Sequence, residues 1–321
     1  MHHVVTWRRR VGALSILGVT CMTPGAAAAQ SQAEPDSSPP ARIDFAGTVT
    51  VPLVPSGGGP ILPVVEIMIN GRGPYRFGIE TGAGFIGVNP GFADSLGLPR
   101  AGGSDDIPEF RVDSIALGAA TFRDVLVAPL PGPARGVAGV LGLPFFRNIL
   151  LTIDYPGQRV LFSRDTLPDP DGATVLALSR AGPFWAMPIT MADHALVGVL
   201  DTRSTGVLGV TPEVAATLPF ADSTRVIGRA GGAAIPVTTL RAGRLDGDVV
   251  IGAFRFPRPE VTIRALPPGF PTGPLIGAVV LQNFVVSLDQ RHGRLRLVHP
   301  GSTTITLPEV GGSSRGSRPS P

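Results

Sequence analysis

Two short acidic turns hold the residues of this chain whose types and spacing suit joint chemistry. Glu80 lies in the run FGIETGAGFIGVNP (77–90), and Asp201 lies 121 residues later in GVLDTRSTGVLGVTP (198–212). In both, an apolar residue precedes the acid and a threonine (Thr81, Thr202) follows it. Two carboxyl groups a few ångströms apart cannot both ionise easily, so they share a proton. The ionised one can then draw a proton from a water while the protonated one polarises a carbonyl. Taken singly, each could instead be a turn acid satisfied by backbone amides; recurrence at matched positions argues for a shared site. Glycoside hydrolysis also uses two carboxyls, but 2 Trp and 2 Tyr leave little to stack on sugars.

Other chemistries lack their residues. All 27 basic residues are arginine, which excludes a lysine phosphate loop and Schiff-base catalysis. The only cysteine, Cys21, sits in an apolar N-terminal stretch. His194, His292 and His299 are not spaced as metal ligands and read as loop or surface residues. The nucleophile-elbow match at 312–316 lies in a Gly/Ser/Arg-rich tail without the strand and helix such a motif needs. No metal or organic cofactor is expected.

The elements that must position the two acids occur twice. GLPFFRNILLTID (142–154) aligns without gaps with GAVVLQNFVVSLD (277–289), matching Asp154 to Asp289 at an offset of 135. Gly118 matches Gly252 at 134. The drift from 121 puts about 14 extra residues in the second copy, and the glycine-rich stretch 228–243 reads as a long mobile hairpin in that interval. Asn70-Gly71 and Pro156-Gly157 mark hairpin turns between β-rich runs. Only 90–98 and 212–218 read as helical, each opened by proline. Asp154 and Asp289 precede hairpin turns and read as capping residues.

The fold class expected is all-β: two similar lobes related by a pseudo-twofold, with a cleft between them. The parts are a leader at 1–29, a linker at 30–42, lobes at 43–166 and 167–300, and a low-complexity tail at 301–321. Arg8, Arg9 and Arg10, an apolar stretch and Ala26–Ala29 make the leader an export signal, which implies a periplasmic or extracellular protein without a membrane anchor. Without it the charges balance at 24 of each sign, which removes any argument for nucleic-acid binding.

The order of acid-Thr turn, Pro-started helix and later apolar-apolar-Gly turn resembles the pepsin/retropepsin superfamily of aspartic proteases. It is most similar to the bacterial retropepsin-like branch, with both copies in one chain, over roughly residues 60–300. The resemblance implies catalysis by Asp201 and Glu80, buttressing by Thr81 and Thr202, and packing of Leu141-Gly142 and Ile276-Gly277 beside the acidic turns. It implies a peptide or unfolded-protein substrate and, since one chain holds both acids, a monomer. Two positions depart from the family pattern. Glutamate at 80 stands where the family has aspartate, and Arg203 stands where it has glycine. A methylene moves a carboxylate by about 1 Å, and misplacement on that scale can cost about 100-fold. An Arg203–Asp201 salt bridge would lower the carboxyl pKa values and mark a retired site. The alternative reading is therefore a catalytically inactive relative that binds peptide or a protein partner in the same cleft.

Overall fold

The computed structural model describes residues 38–310, apart from 56–58, 131, 133, 135, 233–234, 267–269 and 271–272. The expected export leader, most of the first linker and the motif at 312–316 lie outside the described residues. Strands pair into sheets of eight, six and ten. The eight-stranded sheet belongs to the first lobe, the ten-stranded sheet to the second, and the six-stranded sheet to both.

In the shared sheet the sequence repeat becomes geometry. Leu150–Asp154 runs antiparallel to Val285–Asp289, with Thr152 opposite Ser287 and the two hydroxyl oxygens 2.8 Å apart. Ser287 is the copy of Thr152 at the 135-residue offset, so a pseudo-twofold axis passes between these hydroxyls. The outer strands obey it too. Arg159–Ser163 and Arg294–Val298 flank the central pair, followed by Val49–Pro52 and Val175–Ala177. Alternation along Leu150–Asp154 buries Leu151 and Ile153 in the core, each contributing about 1.5–3 kcal/mol. The Phe122 and Phe145 rings stack with centroids 4.1 Å apart in the first lobe, and buried side chains of both lobes form one continuous core.

Each lobe then repeats one arrangement. Val64–Ile69 turns through Asn70 (φ 48°) and Gly71 (φ 74°) into Arg72–Glu80. Two positive φ values make this the primed turn that suits strand twist. The second lobe turns through Ala192 and Asp193 at similar φ values, between Phe184–Met191 and His194–Leu200. The acid-bearing strand next pairs in parallel with the apolar-Gly strand, Glu80 opposite Gly142 and Leu200 opposite Ile276.

Helices are shorter and more numerous than the sequence suggests. The first spans Phe92–Leu96 and begins after Pro90; the second spans Pro212–Ala215, where the Thr211 hydroxyl accepts the Val214 N–H. Two further turns were not expected: a 3-10 turn at Leu143–Phe146 and a helical turn at Ala278–Leu281. Both follow the glycine of an apolar-Gly turn, whose apolar run masks any helical signature. The glycine-rich stretch does form a hairpin, Arg225–Gly232 with Ile235–Arg244. Its first-lobe counterpart, Arg100–Gly103 with Pro108–Leu117, has the shorter outer strand. Residues 301–310, grouped with the tail by composition, run along the second lobe: Ile305 is buried and its N–H donates to Arg255 O.

Candidate active site

Thr81 and Thr202 fasten the two acidic turns together. Thr81 Oγ1 donates to Leu200 O at 2.8 Å, and Thr202 Oγ1 donates to Ile79 O at 2.7 Å. In return the Thr81 N–H donates to Thr202 Oγ1 at 3.1 Å, and the Thr202 N–H to Thr81 Oγ1 at 3.2 Å. Each hydroxyl thus gives one bond and takes one, and each bond has its mate across the pseudo-twofold. Both threonines are buried, where a hydrogen bond contributes about 1 kcal/mol net and a lost partner costs more. Glu80 and Asp201, each one residue before a threonine, are thereby held in one place.

The backbone of the two turns is alike. Ser204 N–H donates to Asp201 O at 3.2 Å, and Ala83 N–H to Glu80 O at 3.3 Å. The glycine of each apolar-Gly turn presses against this backbone. A Cβ on Gly142 would collide with Phe85 O and Ala83 O, and one on Gly277 with Gly206 O and Ser204 O. Leu143 N–H donates to Ala83 O and Ala278 N–H to Ser204 O, so these turns pack beside the acidic turns as expected.

The surroundings of the two carboxyls differ. Asp201 Oδ1 accepts the backbone N–H of Arg203 at 3.2 Å and of Ser204 at 2.9 Å. Gly82 of the opposite turn lies so close that a Cβ there would sit 3.1 Å from Asp201 Oδ1. Burial pushes the Asp201 pKa up, outweighing those two N–H bonds and the charges of Arg264 and Arg203. The net shift is upward, opposite to the lowering expected from a nearby arginine. Arg203 does not salt-bridge Asp201 either. Its Nε lies 3.5 Å from Glu80 Oε2, and its guanidinium lies against Gly78, where any Cβ would collide with it. The expected Arg203–Asp201 pair is replaced by an Arg203–Glu80 pair, because the threonine grip carries residue 203 across to the first lobe.

The structure thus brings Glu80, Asp201, Thr81 and Thr202 together with Arg203, which the sequence singled out as a departure from the family pattern, and adds Arg264, which no motif marked. Aligning the ends of the matched strands would have flagged Arg264, since Leu130 stands at its place in the first copy. Tyr155 is fully buried, its hydroxyl lacks a hydrogen-bond partner among the described residues, and burial with the nearby Asp201 charge raises its pKa. Asp154 caps its hairpin as expected, whereas Asp289 ties its hairpin to the segment at Leu167. Asp154 accepts from Gly157 N–H and Arg159 Nε; Asp289 accepts from Leu167 N–H and lies 2.9 Å from His292 Nδ1. His194 is exposed, while His299 packs edge-on to Phe284. Among the described residues, no group of three or more His, Cys, Asp and Glu is arranged to hold a metal ion. No helix among them is long and apolar enough to cross a membrane.

Two β lobes about a pseudo-twofold, each lending an acid-Thr turn to one site, define a bilobal protein with a paired-carboxyl centre. Residues 65–145, within the first lobe, match the family model for aspartyl protease. Among solved structures the chain is similar to a retropepsin-like aspartic protease from Rickettsia conorii, at 16% identity over 38% of this chain and 91% of that one, with a TM-score of 0.28. It is also similar to Basic 7S globulin from soybean, at 14% identity over 78% of this chain and 94% of that one, with a TM-score of 0.43. No curated protein matches the sequence.

Proposed function

We propose that this protein is an aspartic-type endopeptidase that hydrolyses extended peptide with a water activated between Glu80 and Asp201. One observation supports the reading: the threonine grip joins two acids whose surroundings differ. Glu80 is ion-paired with Arg203 and serves as the base that takes a proton from water. Asp201, whose pKa burial raises, serves as the acid and gives its hydrogen bond to the scissile carbonyl. As the water oxygen bonds to the carbonyl carbon, its proton passes to Glu80 and the carbonyl oxygen takes the proton of Asp201. Thr81 and Thr202 position both acids. An extended substrate would pair with strand edges under the hairpin of Arg225–Gly232 and Ile235–Arg244. The leader expected from the sequence supports a place in the periplasm or exterior, and both acids on one chain support action as a monomer.

The test is digestion of an unfolded protein by the leaderless chain from about pH 3 to pH 8, with Asp201→Asn beside it. Cleavage that falls about 10²–10⁴-fold in the variant is the expected result. A second reading, peptide binding without hydrolysis, is favoured by the hold of Arg203 on Glu80. It requires that the wild type bind but not cut, and that Arg203→Gly with Glu80→Asp restore cutting.

A further inference from the structure

We propose that Arg264 is a specificity residue that pairs with a carboxylate of the bound peptide, so that the cleft selects acidic substrates. This rests on the reading of the cleft as a peptide site. The starting point is a comparison across the pseudo-twofold. Arg264 follows the strand Glu260–Ile263, and its N–H donates to Val210 O at 3.0 Å. In the first lobe the N–H of Leu130 donates to Val88 O at 2.7 Å. Val88 and Val210 end the matched strands Ile86–Val88 and Leu208–Val210, so Leu130 and Arg264 hold one position in two copies.

Their side chains take different courses. Leu130 folds over Gly87, where an added Cβ would overlap its methyl group. Over the matched Gly209, a Cβ would meet only Leu275 within 4 Å. Arg264 therefore does not cover Gly209 as Leu130 covers Gly87. Its charge acts on Asp201. Arg203 has Glu80 as its partner. Arg264 is half-buried, and among the described residues its guanidinium has no hydrogen bond or ion pair. A half-buried cation without an ion-pair partner is poorly compensated. The planar guanidinium fork matches a carboxylate in two parallel bonds. An acidic side chain near the scissile bond, or the C-terminal carboxylate of a short peptide, would supply it.

The test measures binding, so it does not depend on turnover. Asp201→Asn prevents cleavage, and fluorescein-labelled octapeptides are titrated by anisotropy. One set walks a single Glu through eight positions of an otherwise neutral sequence, each matched to a Gln peptide. A second arm compares a free C-terminal acid with its amide. We expect one Glu position, or the free acid, to bind about tenfold tighter, and Arg264→Leu, the residue of the first lobe, to erase that preference while neutral peptides bind as before. Arg264→Lys should keep part of it. Equal binding of Glu and Gln peptides at every position together with equal binding of acid and amide, or a preference that survives Arg264→Leu, would overturn the proposal. Absence of binding by every peptide would instead refute the peptide-cleft reading and the proposal with it.

Discussion

Between residues 78 and 83 of the first lobe and 199 and 204 of the second, the backbone follows one path: an apolar strand, an acid, a threonine locked to its twin, and a closing turn bond. The side chains along that path are complementary rather than equal. Gly78 stands opposite Val199, and Gly82 opposite Arg203. The side chain gained at 203 in the second turn occupies space that Gly78 leaves in the first. Gly82, in turn, lies against Asp201. One acid thus gains a cation, while burial raises the pKa of the other. A duplicated scaffold can therefore give two matched acids different surroundings without altering the backbone that holds them.

The symmetric part of this comparison is broken most severely at the threonine grip. Thr202→Val keeps the shape but strands the Thr81 N–H and the Ile79 carbonyl. The expected loss is about 2–5 kcal/mol by urea denaturation. Thr81→Val should lose a similar amount, and the double variant less than the sum, because the two residues share their bonds. Additive losses would mean that the grip is not one unit.

The matched hairpin acids sharpen the contrast between lobes. Asp289 is fully buried, whereas the side chain of Asp154 is 10% exposed. Asp289→Ala should cost about 2–3 kcal/mol and Asp154→Ala about 1–2 kcal/mol. Burial raises the Asp289 pKa, but the His292 bond, the Leu167 N–H and the Arg291 charge outweigh it and hold the carboxyl below its ordinary 3.8. Its contribution is therefore full above that value and fades as pH falls through the lowered one. Wild type and Asp289→Ala should converge in stability on strong acidification, as thermal melts across pH would record.

A smaller effect is expected at the asymmetric pair. Arg203→Gly makes the second turn match the first and removes the cation from Glu80. The acid limb of the pH–rate profile should move to higher pH, since an anion without its partner needs less acid to protonate. An unmoved limb would mean that Arg203 does not govern the base.

Much of this was legible in the residues themselves. The 135-residue offset between GLPFFRNILLTID and GAVVLQNFVVSLD is the pairing of Thr152 with Ser287, and the acid-Thr turns meet as their recurrence suggests. Local patterns could not show the partner of Arg203, which depends on the crossing of the turns and on the space at Gly78. Nor could composition reveal that Ile305 of the tail-like segment packs on the second lobe. Arg264 escaped notice because it lies at a strand end outside any motif; only its Leu130 counterpart singles it out.

The most direct test of unequal carboxyls is a ¹³C titration of the Asp201 side-chain carboxyl in the leaderless protein, with Asp201→Asn to assign the resonance. The expected result is a midpoint above the ordinary aspartate value of 3.8, with the protein folded throughout. A midpoint at or below that value would leave both acids ionised together and contradict the division of roles.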